Sequence, residues 1–501
     1  MPANPCPYGA PVSKPLSRVI SQELTYQIRL ALHHEPTNEQ EQAIDKFALF
    51  LTDRNEQAVM VMRGSAGTGK TTLAAAIVRT MLTMRQKIVL LAPTGRAAKV
   101  FSLYAGQPAY TIHRRIYRQK SAGDLSAFNL NANLHHDTLF IIDEASMIAS
   151  NASNDTFGSG SLLDDLVSFV YNGQNCRMLL IGDTAQLPPV GEEKAPALMT
   201  DVLKAYGLST YECNLNEVLR QSQESGILYN ATMIRSLLAE ETGLEPRSSL
   251  LLPRLKLKGF TDIVVVTGDE LIESLSSSYS HVGIDETIVI TRSNKRANIY
   301  NQGIRRTVLD REDEINRGDQ LMVVKNKYFS ANAAPKAPNA TIDFIANGDH
   351  CVVQRVRNIH ELYGFRFAEA TLCFPDYDDF ELTATVLLDT LTTEAPALTR
   401  EQQELLYNKV LEDYADIPSK SERIKQLKND SHYNALQIKF GYAVTCHKAQ
   451  GGQWAHVYID QGYMTDDMLN ADYIHWLYTA LTRATEKVFL VNWADKQLQK
   501  G

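Results

Sequence analysis

An α/β fold is what this 501-residue sequence predicts, on three observations. An apolar run, Ala58 to Met62, leads directly into Gly-Ser-Ala-Gly-Thr-Gly-Lys-Thr at 64–71, and Leu73 to Met81 continue with a helical pattern. A second apolar run, Leu139 to Ile142, ends in Asp143-Glu144. A third, Arg177 to Ile181, ends in Gly182-Asp183. Short apolar, β-branched runs that end in polar groups read as buried parallel strands, because such a sheet is covered on both faces and gathers its ligands at the carboxyl ends of its strands.

The first junction is a complete G-x-x-x-x-G-K-[ST] phosphate loop in the strand–loop–helix context that the motif needs. Gly64, Ser65, Ala66, Gly67, Thr68, Gly69, Lys70, Thr71 and Thr72 are therefore the expected binding site for a nucleoside triphosphate, ATP. The glycines let backbone N–H groups crowd around an anion, and the helix that follows adds its positive end. Lys70 is expected to reach the β- and γ-phosphates, and the Thr71 hydroxyl to ligate Mg²⁺. Asp143, at a strand end, is the second expected Mg²⁺ ligand, and Glu144 is the group that polarises the attacking water. Gln186, in the segment Gly182 to Val190, is a candidate γ-phosphate sensor.

Composition sets wider bounds. The length suits two to four domains. A hydrophobic share of 44% with 22% charged residues is that of an ordinary globular chain. No apolar run approaches the ~18 residues of a membrane span, and Met1 to Ser13 is Pro-rich without a basic start, so it reads as a flexible lead-in and not a secretory signal. Six scattered cysteines point to neither a disulfide framework nor a zinc site, and place the protein in a reducing cytoplasm. The net charge of −8 argues against polyanion binding by the whole surface, yet leaves room for a local Lys/Arg-lined channel.

Further motifs follow in order. Thr37 to Ala43 reads Thr-Asn-Glu-Gln-Glu-Gln-Ala, Ala92 to Ala98 reads Ala-Pro-Thr-Gly-Arg-Ala-Ala, and Thr111 to Arg114 reads Thr-Ile-His-Arg. After Asp143 to Ser146 (Asp-Glu-Ala-Ser) and Gly182 to Val190 comes Asn216 to Gln221 (Asn-Glu-Val-Leu-Arg-Gln). Ala443 to Gln453 and Tyr478 to Ala484 close the series. In this order the chain resembles the motif series of superfamily 1 helicases from Pro36 to Val491. The Thr-Ile-His-Arg, Asp-Glu-Ala-Ser and Gln-Leu-Pro-Pro-Val-Gly elements most resemble its RecD/Dda-like branch, which moves 5′→3′ on single-stranded DNA. Each motif is short, but eight in the right order are specific. Gln453 departs from the pattern, standing where the family often has Glu.

The resemblance implies two RecA-like parallel-sheet motor domains with a hairpin (pin) insertion in the first and an SH3-like β-barrel insertion in the second. The expected boundaries are a lead-in at 1–35, a first motor domain at 36–210 with the pin at 115–136, and a second at 211–501 with the barrel and a helical segment at 320–433. It implies Gln40 as adenine reader, Gln450 as a further ATP contact, and Arg220 and Arg483 as arginine fingers. Lying so far along the chain from Lys70, the arginines complete one site only if it sits between two domains that ATP draws together. Pro93, Thr94, Thr111, His113, Thr445 and His447 are the implied DNA contacts; their neutral hydroxyl and imidazole groups suit phosphate and sugar without reading sequence. Phe128 is the expected pin-tip residue, while the rings from Tyr104 to Tyr117 are candidate stacking platforms. The helical, charged stretch Arg400 to Lys428 either packs on the barrel or lies along the DNA.

The function implied is an ATP-dependent DNA helicase, monomeric and compact, acting on single-stranded DNA and junctions in replication, recombination or repair, with single-strand-binding or repair proteins as partners and no membrane contact. A translocase that strips proteins with little unwinding, and a non-motor nucleotide switch, are the alternatives.

Overall fold

The structure, a computed structural model, describes residues 16–119, 128–151, 158–218, 224–240, 253–329, 336–337, 340–341, 344–465 and 468–499. Helix α1 (Leu16–Leu32) presents Leu24, Ile28 and Leu32, one helical stripe, to the same core as α2 (Asn38–Thr52). The expected lead-in at 1–35 therefore holds a packed helix of the first unit. Thr37 starts α2 with a capping box in which its hydroxyl accepts the Gln40 N–H while the Gln40 side chain accepts the Thr37 N–H.

Strands β1 (Ala58–Gly64), β2 (Lys87–Ala92), β3 (Ala109–Thr111), β4 (Thr138–Ile142), β5 (Arg177–Gly182) and β6 (Ser209–Leu215) form one parallel sheet in the order β3-β2-β4-β5-β1-β6. Helices α3 (Lys70–Thr83) and α4 (Gly95–Ala105) follow β1 and β2. The boundary expected at 211 falls inside β6, which pairs with β1 along its length. As the sheet's partly exposed edge, β6 reads Ser-Thr-Tyr-Glu-Cys-Asn-Leu and lacks the apolar run that marks its buried neighbours. A short hairpin pairs Tyr117–Gln119 with Phe128–Leu130 within the expected 115–136 insertion. Residues 120–127 and the Phe128 side chain lie outside the described residues.

The second unit opens with helix α5 (Gly226–Glu240), and its sheet is again parallel. Strands β7 (Ile263–Val266) and β8 (Thr287–Thr291) precede helix α6 (Asn294–Gly303), which Ser293 caps. A closed five-stranded barrel is inserted next: β9 (Gln320–Val323), β10 (His350–Leu362), β11 (Phe365–Phe374), β12 (Phe380–Leu387) and β13 (Leu436–Phe440). The barrel extends past the expected end at 433, because β13 closes it by pairing antiparallel with β9 and parallel with β12. Helices Arg400–Asp413 and Lys420–Asn429 bury Leu406, Val410 and Leu427 against Phe365 and Phe367, so this stretch packs on the barrel. Strands β14 (Ala443–Thr445), β15 (Trp454–Asp460) and β16 (Ala484–Val491) complete the second sheet in the order β7-β16-β15-β8-β14, and helix α7 (Ala471–Leu481) precedes β16. Among the described residues no helix is long and apolar enough to cross a membrane.

Where the barrel joins the second unit, Asp319 is fully buried. It accepts Arg305 Nε at 3.2 Å, Arg311 Nη1 at 2.9 Å, the Tyr442 hydroxyl at 2.8 Å and the Asn316 N–H at 2.7 Å. Removing one partner of a buried ion pair strands the other charge. Asp319→Ala is expected to cost about 3–5 kcal/mol by chemical denaturation, mainly because Arg305 is buried with it.

Candidate active site

The phosphate loop is shaped by glycines at two turns: Gly67 (φ 76°) and Gly69 (φ 79°) hold left-handed backbone that a side chain would strain. Gly64 is needed for space, since a Cβ there would come within 2.6 Å of Lys70 Cγ. Lys70, the first residue of α3, donates to the Gly64 carbonyl, and its Nζ lies 3.6 Å from Asp183 Oδ2. Thr68 turns inward, its hydroxyl donating to the Ser65 carbonyl at 2.8 Å.

Opposite the loop, β4 delivers Asp143 and Glu144. One Asp143 oxygen accepts the Tyr104 hydroxyl and the other the Glu144 N–H at 2.8 Å. Burial raises the Asp143 carboxyl above its ordinary value, with Tyr104, the Glu144 amide and Lys70 pulling it back. Glu144 sits in left-handed backbone (φ 51°). Its carboxyl is also raised, first by burial and then by Asp143 and Asp183, against the opposing pull of Arg483 and Lys70. Thr71 and Asp143 bring hard oxygen donors to the same cleft, a set that fits Mg²⁺, which takes one or two protein oxygens and keeps water and phosphate for the rest.

The cleft encloses about 400 Å³ and is lined by Lys70, Thr71, Thr72, Asp143, Glu144, Gln186 and Arg483. Gln186 is buried, and its Oε1 has no hydrogen-bond partner among the described residues. Arg483 comes from the second unit, which holds it: Nε donates to the Thr479 carbonyl at 3.1 Å, Nη1 to the Gly452 carbonyl at 3.2 Å and Nη2 to the Thr482 hydroxyl at 3.2 Å. Ser65, Ala66, Gly67 and Gly69 line the loop side of the cleft.

Two expected contacts lie elsewhere. Gln40 is fully buried, its amide oxygen on the Thr37 N–H and its nitrogen donating to the Thr68 carbonyl at 3.1 Å, so it braces the loop from behind. Gln450 is buried too, donating to the Leu187 carbonyl at 2.6 Å between the two units and not into the cleft. Arg220 lies outside the described residues. Four further groups meet here in roles that the sequence did not assign. Tyr104 holds Asp143. Asp183 follows β5 as Asp143 follows β4, the strand-end position that Gly182-Asp183 already marks in the sequence. Arg235 on α5 donates to the Ser65 hydroxyl, and Tyr478 on α7 meets the loop at Ala66; nothing in their local sequence announces contact with a loop some 170 and 412 residues away.

The candidate nucleic-acid residues occupy the carboxyl edges of both sheets. Pro93 and Thr94 follow β2, and Thr111 ends β3, whose register sets it beside Ala92. Thr94 and Thr111 both accept N-cap hydrogen bonds, from Ala97 N at 3.2 Å and Arg114 N at 3.3 Å, and each hydroxyl proton can serve another acceptor. His113 is half-buried near the Tyr117 ring. In the second unit Thr445 ends β14 beside Thr291, and His447 is exposed. The two edges meet where Arg96 donates to the Gln453 carbonyl at 2.8 Å and stacks 4.1 Å over Trp454. Lys439 and Lys448, close to Thr445, bond to the Thr393 carbonyl and the Asn347 side chain. Neither has an acidic partner among the described residues, and burial pushes both down to about 8.

Residues 35–240 match the AAA domain family, and residues 440–491 match the UvrD-like helicase C-terminal domain. The chain is 30% identical over 173 residues to the ATP-dependent RecD2 DNA helicase of Deinococcus radiodurans, covering 34% of this chain and 21% of that protein. It is 25% identical over 324 residues to the ATP-dependent DNA helicase dda of Enterobacteria phage T4, covering 62% of this chain and 65% of that protein. The chain thus spans less than two thirds of the length of either relative. A crystal structure of Pif1 helicase from Bacteroides with ADP-AlF3 and ssDNA aligns over 93% of this chain and 95% of that one, at 14% identity and a TM-score of 0.44. A phosphate loop, its strand-end carboxylates and a second parallel sheet supplying an arginine define a two-lobed P-loop protein of the superfamily 1 helicase class. Within that class its sequence similarity is to the RecD2 and Dda helicases, over 34% and 62% of this chain.

Lys70 is the one cation that the loop itself brings to the cleft. Lys70→Ala is expected to weaken binding of a fluorescent ATP analogue at least tenfold, measured by anisotropy, with the melting temperature held near that of the parent.

Proposed function

We propose that this chain is an ATP-driven motor that runs 5′→3′ along single-stranded DNA and opens the duplex ahead of it. One observation carries the reading: Lys70 from the first sheet and Arg483 from the second line the same cleft. A site divided between two units is one that a nucleotide tightens on binding and slackens on hydrolysis.

The loop amides and the start of α3 receive the triphosphate, and Lys70 leaves the Gly64 carbonyl for the β- and γ-phosphates. Mg²⁺, when bound at Thr71 and Asp143, neutralises phosphate charge. Glu144 accepts a proton from water as the water oxygen bonds to the γ-phosphorus. The bond from that phosphorus to the β–γ bridging oxygen breaks, leaving ADP and phosphate. Gln186, with its amide oxygen unpaired at the cleft, is suited to orient that water. Arg483, with Arg220 as its companion, spreads positive charge over the transferring group, a contribution of roughly 10³–10⁵ in rate for such arginines.

Thr94, Thr111, His113, Thr445 and His447 grip the strand from both units, with Pro93 shaping the first. Closure of the cleft then moves one grip toward the other. Lys439 and Lys448 give an acidic chain local cationic groups near Thr445, and the paired strands Tyr117–Gln119 and Phe128–Leu130 belong to the proposed strand separator. DNA as the track draws support from the RecD2 and Dda relatives, both named as DNA helicases, and the 5′→3′ sense is what the motif resemblance implies. Replication, recombination and repair are the settings proposed, with the protein acting as a monomer on junctions beside single-strand-binding proteins.

The reading is tested by unwinding: a 5′-tailed duplex is expected to open in an ATP-dependent manner and a 3′-tailed one not, while opening of neither, with hydrolysis indifferent to single-stranded DNA, would remove the motor. Glu144 adds a pH signature. Its raised carboxyl loses the base form as pH falls through a value above the ~4.3 of a free glutamate. The acid limb of kcat is therefore expected above that value. Glu144→Gln should cut hydrolysis by roughly 10²–10⁴ while retaining ATP binding.

A further inference from the structure

Two consecutive phosphate-loop residues are held by two different helices of the second unit. Arg235 of α5 donates to the Ser65 hydroxyl. Tyr478 of α7 accepts the Ala66 N–H at 2.9 Å. The same Tyr478 hydroxyl donates to Asp183 Oδ2 at 2.6 Å, and that oxygen lies 3.6 Å from Lys70 Nζ. Tyr478 and Asp183 are buried, so a bond lost here costs the desolvation of the group left behind. Burial and the Asp183 charge hold the Tyr478 hydroxyl well above its ordinary value, which keeps its one proton in place as the donor to Asp183.

The contacts share atoms, so a change at one bears on the others. As Lys70 turns to phosphate, its hold on the Gly64 carbonyl and Asp183 weakens. Asp183 then loses its nearby cation and keeps Tyr478 and the Ala185 N–H at 2.9 Å. An Ala66 amide that turns to an anion must in turn leave Tyr478. Tyr478 stands on the last turn of α7, and its carbonyl accepts the Thr482 hydroxyl at 2.9 Å. That hydroxyl also receives Arg483 Nη2.

We infer that Tyr478 is a positioning residue that couples filling of the phosphate loop to the placement of Arg483, through a hydroxyl shared between Ala66 and Asp183. It rests on the ATPase reading of the cleft and supplies the link by which loading in the first unit reaches the second. It touches no reacting atom. Arg235 provides a second hold on the same loop, released when Ser65 moves.

The test uses the full chain with Tyr478→Phe, which keeps the ring and removes both hydrogen bonds, and Asp183→Asn, which breaks the relay at its other end while keeping shape. Hydrolysis is measured without and with single-stranded DNA, and affinity with a non-hydrolysable ATP analogue. Tyr478→Phe is expected to lower kcat about tenfold, the scale of one lost hydrogen bond to a charged group, with analogue affinity unchanged or tighter because the Ala66 amide is freed. Asp183→Asn is expected to give a similar fall, and the double variant little more than either alone. Wild-type kcat in Tyr478→Phe, weakened binding with kcat intact, or fully additive losses in the double variant would each overturn the inference. The comparison stands on hydrolysis without DNA, so a parent enzyme that ignores DNA removes the motor and leaves the test of Tyr478 intact.

Discussion

The loop after β5 is the part on which the arrangement of both units depends. Although it belongs to the first sheet, its Ala185 and Leu187 side chains are buried in the hydrophobic core of the second unit. Four hydrogen bonds fix the polar groups that this burial desolvates. The Tyr478 hydroxyl donates to Asp183 at 2.6 Å, Leu187 N donates to the Thr479 hydroxyl at 2.8 Å, His475 Nδ1 pairs with the Ala185 carbonyl at 2.9 Å, and Gln450 donates to the Leu187 carbonyl at 2.6 Å. Burying a leucine-sized side chain contributes about 1.5–3 kcal/mol, and a buried polar group left unpaired costs a similar amount, so the seam holds as a unit. Helix α7 is thereby pinned beside β5, and Arg483, two residues past its end, is aimed at the cleft that Lys70 enters from the other side.

The barrel closes a ring of contacts around this seam. It is anchored to the second unit through Asp319 and its two arginines, and it reaches the first unit at α4. There Lys99 donates to the Pro375 carbonyl at 3.0 Å and lies 3.5 Å from Asp376. Asp349, whose carboxyl burial pushes up to about 7, packs against Gly95 so closely that a Cβ would come within 2.9 Å of it. Glycine at the first turn of α4 is thus a matter of space for the barrel as well as part of a motif. Displacement of either unit is felt at three places: the seam, the cleft and the barrel contact with α4.

The phosphate loop, the strand-end carboxylates and the buried strands were legible because each is local. A run of apolar residues, a glycine pattern and the next helix all lie within about one helical turn or strand of one another, and physical chemistry ties them together without a tertiary partner. The strands Ala58–Gly64, Thr138–Ile142 and Arg177–Gly182 are of this kind. Elements that depend on a neighbour carry no such local signal. The expected boundary at 211 cuts strand β6, because an edge strand carries no apolar run to mark it. Strand β13 was given to the motor because its role in the barrel comes from pairing with β9, more than a hundred residues earlier. Helix α1 was read as lead-in because its stripe of Leu24, Ile28 and Leu32 acquires meaning only against α2 and α3.

By itself the sequence determined the chemistry on offer: a loop for phosphate, carboxylates at strand ends, arginines far down the chain, and two sets of hydroxyl and imidazole groups. Short-range spacing dictates these, since backbone geometry puts residues a few positions apart in a known relation. Only the tertiary structure decided which of them meet. It sent Gln40 and Gln450 to structural hydrogen bonds, because a buried amide must satisfy its donors and acceptors wherever packing leaves it. It also brought Tyr478 and Arg235 to the loop, contacts made by the closing of one sheet upon another, which no spacing along the chain encodes.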